Sequence, residues 1–349
     1  MSIKVFLVDD SALMRQTMQH LLQADDSIEL IGVAPNPLIA APLIRKNPPD
    51  VLLLDIEMPG MDGLTFLRQQ MAERPIPTVI CSTLTETGSK IALDALSAGA
   101  VAVVTKPRLG LKQFLEDSRQ ELVQALKTAA RSRPRLMSAA PRASSASSAQ
   151  AQPVLHALAV NKPVVLGSST GGTQAIEQIV LGLPPDCPGI AVVQHMPANF
   201  TAMYAQRLDT LCEVSVREAK DGDRMERGLV LIAPGGLHMR LQKTGGQYFV
   251  KISDGPPVNR HKPSVDVLFQ SAAECAGRDV LGLILTGMGN DGARGMQLMH
   301  NQGARTIAQN EESCVVFGMP MEAIKLGAAD EVVPLKEMAG RIMAFDRRG

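Results

Sequence analysis

The chain has 349 residues, enough for two domains at roughly 150 residues each, with a core in both. Hydrophobic residues make up 45% and charged residues 20%, the balance of an ordinary globular chain. The 35 Lys plus Arg equal the 35 Asp plus Glu, and aromatics are only 3%, which argues against a protein built to grip nucleic-acid phosphates or to stack bases.

From the start, β-rich runs alternate with helical patterns. Lys4–Val8, Glu29–Ala34, Val51–Leu54, Thr78–Cys81 and Val101–Thr105 read as strands. Leu13–Ala24, Leu38–Lys46, Leu64–Ala72, Ser89–Ala98 and Leu111–Thr128 read as helices between and after them. Such alternation implies right-handed βαβ units and a parallel sheet covered on both faces. The stretch Arg131–Pro153 breaks the pattern. It is rich in Ala, Ser, Pro and Arg, holds no aromatic residue, and shows no periodicity, so it reads as a solvated tether. The α/β pattern resumes with strands at Pro163–Leu166, Gly189–Val193, Leu229–Ile232 and Val280–Leu285, and helices at Gly172–Leu181, Val265–Ala276 and Gly292–Asn301. Leu237–Ile252 reads as a hairpin turning at Thr244-Gly245-Gly246. The expected organisation is a (βα)5 domain over 1–125, a flexible linker over 126–157, and a doubly wound, mainly parallel α/β domain with a small hairpin over 158–349.

Asp9 and Asp10 follow the first strand and Asp55 closes the third. Ligands gather at the carboxyl ends of strands in an open parallel sheet. Three carboxylates there repel one another unless a cation sits among them, and an all-oxygen set favours Mg²⁺. Ser82 and Lys106 end the fourth and fifth strands. A hydroxyl and an ammonium at that edge would suit a phosphoryl group formed on Asp55. Taken singly, an Asp after a strand is as readily a helix cap.

In VVLGSSTGGTQAI, Ser169 is central to a G-x-S-x-G turn between strand and helix. Small neighbours expose its hydroxyl beside unpaired helix N–H groups. His195 follows the next strand in AVVQHMPANF, and Asp291 lies in the loop of LILTGMGNDGA. All three fall at one end of one sheet, as a Ser-His-Asp triad requires, and chain order carries no mechanistic weight. The same turn taken alone would more readily suit a phosphate than a nucleophile, although it lacks both the G-x-G-x-x-G spacing and the Gly-Lys-Ser/Thr of an ATPase loop. His238 and His261 are alternative bases or cleft residues; His20, His156 and His300 read as incidental. Arg207 reads as a substrate-facing or merely surface residue. Met196, Met288 and Met319 could shape a pocket, although core filling is the commoner role of Met.

The set FLVDDSALMRQ, VLLLDIEMPGMDG, TVICSTLT and AVVTKP resembles a response-regulator receiver domain. That resemblance implies phosphorylation of Asp55 by a histidine kinase, Mg²⁺ held by Asp9, Asp10, Asp55 and the Glu57 carbonyl, and Ser82 and Lys106 as switch residues. Val103 stands where receivers usually carry an aromatic switch. GSSTGGT, QHMPANFT, IAPGGLH, HKPSVDVLF, LTGMGNDGARG and CVVFGMPMEAIKLGAADEVVPL resemble the chemotaxis protein-glutamate methylesterases. This second resemblance implies cofactor-free hydrolysis of γ-glutamyl methyl esters on chemoreceptor cytoplasmic helices, and deamidation of receptor glutamines. It places oxyanion donors near Thr170 and the Met288 backbone. It also implies that the unphosphorylated receiver masks the catalytic site.

The five cysteines are scattered without a CxxC pair, so neither zinc nor a disulfide framework is expected. The N-terminus lacks a signal-peptide pattern, and no apolar run reaches membrane-spanning length. The expectation is a cytoplasmic protein without membrane insertion or nucleic-acid partner.

Overall fold

The computed structural model describes residues 2–58, 62–82, 86–106, 112–132 and 162–346. The first domain comprises β1 (Ile3–Val8), α1 (Ala12–Gln23), β2 (Ile28–Ala34), α2 (Pro37–Lys46), β3 (Val51–Asp55), α3 (Gly63–Glu73), β4 (Thr78–Ser82), α4 (Glu86–Ser97), β5 (Ala102–Thr105) and α5 (Lys112–Ala130). Its five strands pair in parallel in the order β2-β1-β3-β4-β5. Strand β3 is buried at every position, which is why it reads as an unbroken apolar run rather than an alternation. Chain direction along the sheet reverses between β1 and β3, so their carboxyl ends open a crevice.

Helix α5 continues beyond residue 125 because its buried stripe does. Leu122, Leu126 and Ala129 recur at helical spacing and are buried. The first residues of the expected linker, 126–130, are therefore helical. Residues 133–157 of that linker lie outside the described residues, as does His156.

The second domain comprises β6 (Val164–Ser168), α6 (Gly172–Leu181), β7 (Ile190–Gln194), α7 (Ala198–Leu211), β8 (Ser215–Glu218), β9 (Leu229–Ile232), β10 (His238–Thr244), β11 (Gln247–Ser253), α8 (Val265–Ala276), β12 (Leu281–Ile284), α9 (Ala293–Asn301), β13 (Arg305–Gln309), α10 (Met319–Lys325), β14 (Glu331–Val333) and α11 (Met338–Asp346). Seven strands pair in parallel in the order β14-β13-β12-β6-β7-β9-β8. The antiparallel β10-β11 hairpin stands apart and turns through Gly245 and Gly246. The chain winds one way from β6 through β7, and the other way from β12. The switch point between β6 and β12 is where a ligand crevice is expected.

The two domains meet along α4, which packs on α6 and α7. Gln174 donates to the Leu96 carbonyl at 2.5 Å, and Ser97 donates to Glu177 at 3.4 Å. Arg207 on α7 bridges Asp94 of α4 at 3.3 Å and Glu177 of α6 at 3.5 Å. It thus spans the two domains rather than decorating a free surface. At a second contact, Gln124 and Thr128 of α5 donate to the Met288 sulfur, and Val315 packs against the receiver core. No helix among the described residues is long and apolar enough to cross a membrane.

Candidate active site

Asp9 and Asp55 are buried at the crevice of the first sheet, and Asp10 stands exposed beside them. One oxygen from each lies within 4.8 Å of the others. Lys106 reaches Asp55 at 2.6 Å and Asp9 at 3.2 Å. Burial, reinforced by the neighbouring Asp9 charge, pushes the Asp55 carboxyl up to about 6 even against the pull of Lys106. One ammonium among three carboxylates leaves the cluster short of positive charge. An all-oxygen donor set with that deficit fits a hard divalent cation. Glu57 enters the same turn, its backbone N–H donating to Asp55 at 3.1 Å. Ser82 closes β4 one strand away, with Thr105 as its neighbour in β5.

In the second domain, β6 ends at Ser168 and the chain turns sharply through Ser169 and Thr170 into α6. The turn depends on a side chain being absent at Gly172, where a Cβ would meet Gln194 Oε1 at 2.1 Å. Gln194, at the end of β7, braces the turn. It accepts from Ser168 Oγ at 2.6 Å and donates to the carbonyls of Ser169 and His195. Gly287, after β12, permits a second close approach, since a Cβ there would fall 2.8 Å from Ser169 Cβ. The ends of β6, β7 and β12 thus converge at the switch point.

His195 Nε2 lies 2.8 Å from Asp291 Oδ2. An ionised carboxylate only accepts, so Nε2 carries the proton and Nδ1 is left as the acceptor. Nδ1 is buried and has no hydrogen-bond partner. Ser169, Thr170, Gln194 and His195 line one pocket. Ser169 and His195 share that pocket without a hydrogen bond between them, an arrangement common before substrate tightens a site. Thr170 also lends its carbonyl to Thr286 Oγ1 at 2.9 Å. Met288 does not join this pocket. Its side chain lines a neighbouring cavity with Thr128 and Val315.

Asp291 is held far more tightly than its sequence context suggests. Oδ1 accepts from Asn259 at 2.8 Å, Ser264 Oγ at 2.7 Å and the Asp266 N–H at 3.3 Å. Oδ2 accepts from the Val265 N–H at 2.7 Å as well as from His195. Burial alone would raise this carboxyl, but the His195 hydrogen bond and charge, with those of Asn259 and Ser264, hold it well below the usual range. Asn259, Ser264 and Val265 carry no catalytic signature of their own. The available signal was their position in NRHKPSVDVLF, just ahead of α8.

The remaining histidines divide cleanly. His238 is buried; Nε2 lies 3.0 Å from the Pro256 carbonyl and Nδ1 accepts from Ser264 N–H, so it braces a loop rather than facing the nucleophile. His300 sits 3.0 Å from Asp330, away from the pocket. His261 stacks on His195 with ring centroids 3.6 Å apart. Met319 is a core residue, whereas Met196, also buried, lines the Ser169 pocket.

The pocket has a second wall. Ser82, Leu96, Val103 and Thr105 of the first domain line it opposite Ser169 and His195.

Residues 164–342 match the CheB methylesterase family, and residues 5–127 match the response regulator receiver domain. The chain is 53% identical to a protein-glutamate methylesterase/protein-glutamine glutaminase of Dechloromonas aromatica over 99% of this chain and 98% of that protein. It is 52% identical to one from Chromobacterium violaceum over 97% of this chain and 98% of that protein. Among solved structures, the CheB methylesterase catalytic domain of Thermotoga maritima matches at 40% identity and a TM-score of 0.52, covering 53% of this chain and 98% of that one.

Proposed function

The chain belongs to the CheB methylesterase family and carries a receiver domain, and from that premise we propose that it hydrolyses glutamate γ-methyl esters on chemoreceptors by a Ser169-His195-Asp291 triad. The observation that carries this reading is the His195–Asp291 pair, which leaves His195 Nδ1 without a hydrogen-bond partner in a residue that lines the same pocket as Ser169.

Ser169 Oγ attacks the ester carbonyl while its proton passes to His195 Nδ1. The oxygen–carbon bond forms and the carbonyl π pair moves onto oxygen. Donors near Thr170 receive that charge, and Asp291 stabilises the imidazolium through Nε2–H. The tetrahedral adduct collapses, and methoxide leaves as methanol with the Nδ1 proton. Water, deprotonated by Nδ1, then attacks the acyl-enzyme; Ser169 is released and the glutamate carboxylate is restored. With a glutamine substrate, ammonia is the first leaving group and the rest is unchanged. None of these steps calls on a cofactor.

Control rests on the first domain. A histidine kinase of the chemosensory system would supply the phosphoryl group to Asp55. Asp9, Asp10, Asp55 and the Glu57 carbonyl would hold Mg²⁺, whose charge would offset that of a phosphoryl group on Asp55. Ser82 and Lys106 are then placed to receive the phosphate. With the pocket walled by Leu96, Val103 and Thr105, the receiver restricts access until phosphorylation biases the contact. At Val103 the relay cannot use a rotating aromatic ring.

The test is methanol release from methylated receptor, with and without a small phosphodonor. Ser169→Ala should lose several orders of magnitude in turnover in both conditions. Near-normal hydrolysis by that variant refutes the triad.

A further inference from the structure

One loop holds both partners of the proposed catalytic pair. Val258 and His261 exchange backbone hydrogen bonds at 3.1 and 2.9 Å around Asn259 and Arg260, a two-residue turn of the primed kind. Both central residues have positive φ, 51° and 68°, although neither is glycine. Strained conformations of this sort persist where the surroundings enforce them, and they concentrate at functional sites. Here the enforcement is visible. Asn259 Nδ2 clasps Asp291 Oδ1 at 2.8 Å and Asp266 Oδ2 at 2.6 Å. Beyond the turn, Ser264 and the Val265 N–H bind the same Asp291 carboxylate. Between these grips, His261 lays its ring on that of His195 at 3.6 Å with an interplanar angle of 11°.

We propose that His261 is a positioning residue for the esterase reaction, a neutral ring stacked on His195 that fixes the plane of the base and stabilises its charged form. The proposal rests on the triad reading above. Two like-charged rings at this separation would repel, so the stack works only if His261 stays uncharged while His195 takes up the serine proton. The groups that face His261 favour this. Burial and the His195 charge hold it down to about 4, Arg260 adds to that, and Asp291 alone opposes it. A neutral imidazole then offers its π face to the imidazolium. With Nε2 tied to Asp291 and the face held by His261, rotation of the base is blocked on two sides.

The experiment compares His261→Ala, His261→Phe and Ser169→Ala in the full-length protein with phosphodonor present. Two readouts are taken: the pH profile of methanol release, and the His195 titration followed by NMR. His261→Ala should lower kcat about tenfold with KM within twofold. The His195 titration and the acid limb of kcat should both move to lower pH by up to about one unit, since tenfold in protonation equilibrium is one pH unit. His261→Phe keeps a neutral stacked face and should recover kcat to within about threefold, with the titration near that of wild type. Wild-type kcat and titration in His261→Ala overturn the proposal. So does His261→Phe as impaired as His261→Ala, which would instead make His261 a proton carrier. A kcat loss with an unmoved His195 titration overturns it too, leaving His261 a packing residue. Activity in Ser169→Ala sinks the triad and this proposal together, whereas an inactive Ser169→Ala beside an unimpaired His261→Ala sinks this proposal alone.

Discussion

Replacing Asp291 by Asn changes one atom and separates the two tasks this side chain performs. In the wild type its two oxygens accept five hydrogen bonds, from His195, Asn259, Ser264 and the N–H groups of Val265 and Asp266. An amide has one acceptor oxygen and one donor NH₂, so either orientation turns N–H against N–H. If the oxygen faces His195 and Val265, the amide nitrogen confronts Asn259 and the Asp266 N–H. If it faces Asn259 and Ser264, the nitrogen confronts Val265 and forces His195 into the wrong tautomer. About two hydrogen bonds to a charged acceptor are lost, at roughly 1.5–3 kcal/mol each, or about 3–6 kcal/mol together. For a domain of this size that corresponds to a Tm drop of about 6–24 °C. Turnover should fall by about 10⁴, the scale seen when a triad carboxylate becomes an amide. The pH dependence follows from the depressed carboxyl. A group whose folded pKa lies below its unfolded value near 3.9 stabilises the fold above that pH and loses the effect as acid is added. The Tm gap between wild type and Asp291→Asn should therefore be full at neutral pH and shrink below about pH 4. Thermal melts at several pH values and methanol-release kinetics check both parts. An Asn variant within tenfold of wild-type kcat, or a Tm gap that does not narrow in acid, refutes the reasoning.

Two further expectations concern control. Arg207 makes one partly exposed ion pair across the domain contact, to Asp94, contributing about 0.2–1 kcal/mol; Arg207→Ala should raise basal, unphosphorylated activity by up to about fivefold, with the chain lacking residues 1–130 as the ceiling. A ceiling no higher than the intact protein ends the masking reading, while a raised ceiling with an unmoved Arg207→Ala shows that other contacts hold the domains together. Removing divalent cations with EDTA, or Asp55→Asn, should abolish stimulation by phosphodonor yet leave hydrolysis by the chain lacking residues 1–130 intact, and loss of that hydrolysis on chelation would place a metal in the ester chemistry.

The central strands were legible in the sequence because burial on both faces writes them as apolar runs, as in Val51–Leu54 and Val164–Leu166. The sheet margins were not. β8 reads Ser-Val-Arg-Glu with alternating exposure, and β14 is only three residues long; edge strands of this kind carry charge and brevity instead of hydrophobicity. Helix α7 was read only around Arg207 in FTAMYAQRL and without bounds, since Arg207 and Asp209 interrupt any simple stripe. Ser169, His195 and Asp291 stood out because each follows a strand. Their supporting groups did not: Asn259 and Ser264 lie 32 and 27 positions from Asp291 in the chain and reach it only through tertiary folding. The contact of Thr128 with Met288 spans 160 positions and joins two domains whose relation no local pattern encodes.

The pocket wall shared by Val103 and Thr105 with Ser169 and His195 carries a thermodynamic obligation. Two guests contending for one space push on each other with equal force, whichever arrives first. If a phosphoryl group on Asp55 eases entry of a methylated helix, a methylated helix already seated must favour that phosphoryl group by the same factor. Receptors rich in methyl esters would then not merely await an activated enzyme. They would draw the phosphorylation balance toward themselves, so that the load of substrate is itself read by the input domain.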